Sequence, residues 1–203
     1  METVFDVITS RRSIRKFKQM PLPEKLLARC VEAARFAPSA ANLQPCEYII
    51  VTDAHVMSDL FACLSWARYL HPTGTPSIEE RPVAYIAVLL KSTKNIRTCS
   101  SDAGAGIQNM LLTAWAQGVG TCWIRSINTR KAKKIMHIPH NVYLDSVIAF
   151  GYPAEKSIAE EMGESVKYYR DKDNVIHVPK RQLANILFHD HYGQSHKQDQ
   201  VVI

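Results

Sequence analysis

The alternation of strand-like and helix-like segments predicts one domain of α/β or α+β class, with a central sheet covered by helices. Three observations carry this. The run Val83-Ala84-Tyr85-Ile86-Ala87-Val88-Leu89-Leu90 is strand-sized and apolar throughout, the mark of a strand buried on both faces. Apolar residues at helical spacing occur on either side of it in the chain. A chain of 203 residues, 46% apolar and 22% charged, can build one full core, and it contains no internal repeat, low-complexity tract or dividing linker.

In chain order, Val4, Phe5 and Ile8 suggest a short helix over residues 2–11. Pro21 and Pro23 mark a loop. Pro23 suits a helix start, where its missing N–H costs nothing, and Leu26, Leu27, Cys30, Val31 and Ala34 place an amphipathic helix to about residue 36. Residues 47–51 read as a strand. Asp53 is placed to cap a helix over 54–70, with Val56, Leu60, Leu64 and Ala67 on one side. Residues 71–82 hold three prolines and read as a loop, a possible lid. A long helix runs from Asp102 to 117 and is stopped by Gly118. Strands follow at 120–127 and 146–150, separated by a basic helix from Thr129 to about 137. Residues 155–178 read as polar and irregular, residues 180–189 as a final helix through Leu183, Ile186 and Leu187, and 190–203 as a tail.

Several functional classes are excluded or disfavoured. No apolar run approaches the length that crosses a bilayer, and residues 1–17 do not form a secretory signal, so the expected location is cytoplasmic, with no membrane partner. Cys30, Cys46, Cys63, Cys99 and Cys122 are odd in number and include no Cys-x-x-Cys pair, which argues against a disulfide framework and against a cysteine zinc site. The net charge of +6 is spread along the chain, so a small phosphate-bearing ligand explains it better than nucleic acid does.

Two motifs carry chemistry. Arg11-Arg12-Ser13-Ile14-Arg15-Lys16-Phe17 gathers fork-shaped cationic donors that can grip a phosphate from several sides. In an extended segment, alternation puts Arg11, Ser13 and Arg15 on one side and Ile14 on the other, an order that a merely solvated basic face would not need. Pro38-Ser39-Ala40-Ala41-Asn42-Leu43-Gln44-Pro45 is a loop of small and amide-bearing residues able to lie against a polar heterocycle. Together they point to a planar, phosphorylated organic ligand.

Other patterns read as structural. Gly104-Ala105-Gly106 has Asn109 where a dinucleotide fingerprint needs its third glycine, and it lies within a helix, so its small residues serve close approach of a helix or ligand. Ser39 lacks a nucleophile-elbow context, which leaves a hydrolase triad unsupported. His189-Asp190-His191 reads as surface decoration, and Glu79-Glu80 and Glu160-Glu161 as solvated pairs. No metal site is expected.

These two motifs, with Gln108-Asn109, Gly118-Val119-Gly120-Thr121-Cys122-Trp123-Ile124 and Phe150-Gly151-Tyr152-Pro153, occur in an order that resembles the FMN-dependent nitroreductase family from residue 5 to about 188. The resemblance implies an α+β fold, a central mixed sheet flanked by helices in an intertwined homodimer, with two FMN sites at the subunit interface. It implies that Arg11, Ser13 and Arg15 hold the FMN phosphate and ribityl chain, with Arg12 adding backbone or charge. Pro38, Ser39, Ala40 and Asn42 would come from the partner subunit to lie near the isoalloxazine. Gln108 would face the flavin, Trp123, Ile124 and Arg125 would pass its ring, and Lys180 and Arg181 would close the phosphate site. It further implies NAD(P)H as donor and a ping-pong reduction of nitroaromatics, quinones or related electrophiles, with no dedicated catalytic side chain. Other chemistries of the same fold stay open: dehalogenation, flavin fragmentation, or dehydrogenation. So does a non-catalytic FMN- or nucleotide-binding regulator. Two departures stand out. Cys46 occupies a position where many members have tryptophan, and residues 66–82 are shorter than the substrate-covering insertion of larger members.

Overall fold

The computed structural model describes residues 3–23, 25–70, 73–91 and 96–194. Helix α1 (Val4–Ser10) begins at a capping box between Thr3 and Asp6. Strand β1 (Phe17–Lys18) precedes helix α2 (Leu26–Arg35), and strand β2 (Cys46–Val51) leads into helix α3 (Ala54–Phe61), capped by the Asp53 carboxylate as expected. Strand β3 (Ala84–Lys91), helix α4 (Ile96–Trp115), strand β4 (Gly120–Ile124), helix α5 (Thr129–Ile135) and the long strand β5 (Val142–Pro153) complete the main body.

The main sheet runs β2-β3-β5, and β4 and β1 both pair with β5 along its other side. All of these pairs are antiparallel, and Ser13 forms an isolated parallel bridge with Thr121 beside them. Strand β3 explains its own composition. Tyr85, Ala87 and Leu89 face a core built with α3 and α5, while Ile86, Val88 and Leu90 face a second core built with α2 and α4. With both faces covered, every position from 84 to 90 is buried.

The glycines of α4 act as the sequence suggests. A Cβ at Gly106 would meet the Tyr48 hydroxyl at 3.1 Å and the Ala34 carbonyl at 3.4 Å, so its absence lets α2 and α4 approach closely. Gly118, at φ +72°, receives the chain past the helix end, with its amide bonded to the Trp115 carbonyl.

Three expectations are corrected. Helix α3 stops at Phe61 instead of reaching residue 70. The Ser65 amide pairs with the Ser126 carbonyl and Leu64 bridges Ile127, so tertiary pairing replaces helical spacing, and a 3-10 turn follows at Arg68–Leu70. Residues 155–178 are ordered rather than irregular, because β6 (Ser157–Glu161), β7 (Tyr169–Arg170) and β8 (Ile176–Lys180) form a second sheet with β8 in the middle. That sheet packs Ile176, Tyr168 and Val178 on Ala67 and Leu70. The final helix is reduced to a 3-10 turn at Leu183–Asn185; Leu183 and Ile186 are exposed, so no apolar neighbour in this chain rewards a longer one.

Candidate functional site

The segment after α1 is pinned from inside. The Ile14 amide donates to the Thr121 carbonyl at 2.9 Å, and the side chains of Ile14 and Phe17 are buried over Gly120 and Gly151. With these two apolar anchors turned inward, Arg11, Arg12, Ser13 and Arg15 line a cavity of about 200 Å³. Its remaining wall is the second sheet, through Tyr168, Val178 and Lys180. Ile14 lies opposite the donors, as alternation predicts, but Arg12 joins Arg11, Ser13 and Arg15 at the cavity instead of turning away.

Four cations therefore surround one small space. The Nε atoms of Arg11 and Arg12 are buried and have no hydrogen-bond partner. Burial lowers both guanidinium pKa values, and the Arg11 charge adds to the effect at Arg12. Arg12 Nη1 donates to the Arg11 carbonyl at 2.6 Å, but half-buried guanidiniums whose Nε donors lack acceptors among the described residues are costly, so this arrangement is suited to an anion that supplies them. The Arg15 guanidinium lies over the Tyr168 ring at 4.9 Å, and its backbone amide donates to Glu155 Oε1 at 2.6 Å. Arg181 does not share the cavity; its guanidinium donates to the Asn185 carbonyl and is exposed. Lys180 is the basic residue that the second sheet brings to the arginines.

The loop that carries Pro38, Ser39, Ala40 and Asn42 borders a separate cavity of about 250 Å³, walled by Val31, Ala34, Pro38, Ser39, Pro45 and Tyr48 among others. Its backbone is unusual. Ala41, Asn42 and Gln44 have φ of 50°, 54° and 48°, conformations that L-residues avoid unless the surroundings impose them. The surroundings are specific: Asp102 accepts the Ala40 amide at 3.2 Å, and Ser39 Oγ accepts the Gln44 amide at 3.0 Å. Pro38 and Asn42 remain exposed. Cys46, beside this cavity, is half-buried, and burial raises its thiol pKa.

Between these features lie α4 and β4. Trp123 is 37% exposed and its ring edge stands 3.7 Å from where a Gly104 Cβ would be. Gln108 follows one helical turn later and is half-buried. Ile124 is a core residue, 4% exposed, so only its backbone is open to a ligand. Arg125 reaches Asp145 Oδ1 at 3.4 Å, and that buried carboxylate also accepts from Ser100 and Ser146.

Sequence reasoning missed Tyr168, Val178, Glu155 and Arg170. The alternation Ile176-His177-Val178 was the available signal, but β6 and β7 are too short and too polar to announce a sheet. Among the described residues no group of three or more His, Cys, Asp or Glu side chains is arranged to hold a metal ion. None of the described helices is long and apolar enough to cross a membrane.

A family model described as the nitroreductase family matches residues 8–73 and 76–152. A relative from Methanothermobacter thermautotrophicus, provisionally named an NADH dehydrogenase/NAD(P)H nitroreductase, is 29% identical over 83% of this chain and 87% of its own length. An FMN reductase (NADPH) of Bacillus subtilis is 25% identical over 77% of this chain and 68% of its own. A solved nitroreductase-like protein of Desulfovibrio desulfuricans, in complex with FMN, superposes with a TM-score of 0.67 at 26% identity, covering 95% of this chain and 99% of that one.

Proposed function

The chain belongs to the nitroreductase family, and from that premise we propose that it is an NAD(P)H-dependent flavin oxidoreductase, a single FMN-binding domain over residues 1–203 that acts as a homodimer. The carrying observation is the pair of buried, partnerless Nε atoms on Arg11 and Arg12, set beside Arg15 and Lys180. A phosphate monoester has the charge and the acceptor oxygens that these groups lack, so the residues present fit FMN at its phosphate end. The D. desulfuricans neighbour with FMN bound and the B. subtilis FMN reductase support the same cofactor.

When bound, FMN supplies hydride and electron transfer, chemistry that no side chain here performs. The residues of this chain bind and orient. Arg11, Arg12, Ser13, Arg15 and Lys180 hold the phosphate, with Lys180 in the role that Arg181 was expected to share. Trp123, Gln108 and the backbone at Ile124 border the ring. Arg125, held by Asp145 at 3.4 Å, would offer guanidinium N–H donors to the bound flavin. The cationic cavity and the cavity of the 38–45 loop have no lining residue in common. That separation supports a site completed by Pro38, Ser39, Ala40 and Asn42 of a second chain.

With FMN bound, NAD(P)H would be the hydride donor and a nitroaromatic, quinone or related electrophile the acceptor in a ping-pong cycle. The test is direct. The purified protein is expected to be yellow, and its flavin absorbance to bleach under NADH or NADPH and return on adding an electrophile. A colourless protein that does not take up added FMN would overturn this reading.

A further inference from the structure

Glu155, in the short link between β5 and β6, has a side chain only 2% exposed, yet it bonds to two other parts of the molecule. Its Oε1 accepts the backbone amides of Arg15 at 2.6 Å and Lys16 at 3.3 Å. Its Oε2 accepts from Arg170 Nη2 at 2.9 Å, and Arg170 in turn donates to the Asn174 carbonyl. Arg170 lies in β7, two residues after Tyr168, the residue whose ring underlies the Arg15 guanidinium. One carboxylate therefore joins the arginine-bearing segment to the opposite wall of the cationic cavity.

Its location is electrostatically adverse. A buried carboxylate costs several kcal/mol unless it is paired and fully hydrogen-bonded. Here it also stands beside a cavity whose cations are suited to another anion. Backbone pairing does not replace it, because the Ala154 amide already serves the Lys16 carbonyl and the ladder between β1 and β5 ends at Pro153. The amides of Arg15 and Lys16 have left that ladder, and Glu155 is the group that receives them. Arg170 offsets the charge, so Glu155 contributes geometry with little net field.

We propose that Glu155 is a positioning residue for phosphate recognition. It fixes the backbone from which Arg15 projects and, through Arg170, sets the gap between that segment and the wall bearing Tyr168 and Lys180. The cavity can then distinguish a phosphorylated flavin from one ending in a hydroxyl. This rests on the reading of the cavity as the FMN phosphate site, and the experiment separates the two.

The full-length protein, freed of bound flavin, is titrated with FMN and with riboflavin by fluorescence quenching, alongside thermal unfolding. The native protein is expected to prefer FMN by about a hundredfold or more, as several charge-assisted bonds imply. Glu155→Ala should cut that preference by about tenfold with riboflavin affinity nearly unchanged, while the unfolding midpoint falls because Arg170 and two backbone amides lose their partner. Glu155→Gln, which keeps an oxygen for the two amides, should retain more of the preference. Equal losses for both flavins, or an unchanged preference, overturn the assignment. If Glu155→Ala does not fold, Arg170→Gln reads the same link from its other end: a loss confined to FMN supports the proposal and no loss overturns it. A native protein that binds both flavins equally overturns the cavity's reading as a phosphate site, a result distinct from failure at Glu155.

Discussion

Gly120 stands opposite Gly151 in the pairing of β4 with β5, and the two together form the seat of the arginine-bearing segment. A Cβ at Gly120 would fall 2.8 Å from the Ile14 side chain, and one at Gly151 would fall 2.8 Å from that of Phe17. In an unencumbered strand, replacing glycine by alanine gains about 0.5–1 kcal/mol. Overpacking against a buried neighbour costs about 1–3 kcal/mol, so the unfavourable effect prevails here. Gly120→Ala is expected to lower the denaturant midpoint and to weaken FMN binding at once, because displacing Ile14 moves Arg11, Ser13 and Arg15. Denaturant titration with and without FMN checks both halves.

Lys180 and Arg181 are adjacent but differ in surroundings. Lys180→Ala is expected to weaken FMN binding by about 1.5–3 kcal/mol, the range for a hydrogen bond to a charged group. Arg181→Ala, at an exposed position bonded to a nearby carbonyl, should change it by less than about 0.5 kcal/mol. Calorimetric titration of the two variants decides which residue closes the site.

A shared pocket has an arithmetic consequence. On that proposal Arg15→Ala would remove a group from its own chain's site, and Asn42→Ala one from the neighbour's. Dimers carrying one subunit of each variant should therefore concentrate both defects in one site and leave the other whole. Co-expression with two affinity tags, followed by flavin counting, should yield one FMN per dimer. Two equally weakened sites would show that each pocket is built from one chain.

The second sheet should respond to pH. His177 lies between Asp171, at 3.0 Å, and Glu160, at 2.6 Å, and its ring stacks on Tyr169. The bonds to Asp171 and then Glu160 raise its pKa above the ordinary imidazole range. The folded state thus holds the proton more tightly than the unfolded chain does. The stability so gained is complete below about pH 6.5 and is lost as pH rises through the higher, folded value. Amide exchange in residues 157–180, corrected for intrinsic rates, is expected to quicken across that interval in the native protein. His177→Gln should abolish the excess acceleration.

The parts of this fold legible in sequence were those whose apolar pattern is satisfied locally. β3, α2 and the body of α4 carry uninterrupted or helical spacing because each meets a core along its whole length. The basic motif stood out in sequence because clustered cations are costly without a counter-anion, whereas the 38–45 loop stood out only by its small and amide-bearing composition. The second sheet was not. Its few apolar residues pack on Ala67 and Leu70 from a distant stretch of chain, so neither segment alone shows what it is paired with. The basic residue of that sheet was identified only to within one position, since Lys180 and Arg181 have the same charge and only strand direction separates them. Helical spacing over 180–189 misled for the opposite reason: the pattern is present, but Leu183 and Ile186 stay exposed among the described residues.

Residues translated earlier are thus seated by residues translated later. Residues 11–17 cannot settle until Gly120 and Gly151 exist to receive them, and Lys180 arrives later still. On the ribosome Arg11, Arg12 and Arg15 must wait, solvated, until residue 180 emerges. The cationic cavity is thereby completed only when Lys180 arrives, and a chain cut before residue 180 would lack one of its four cations.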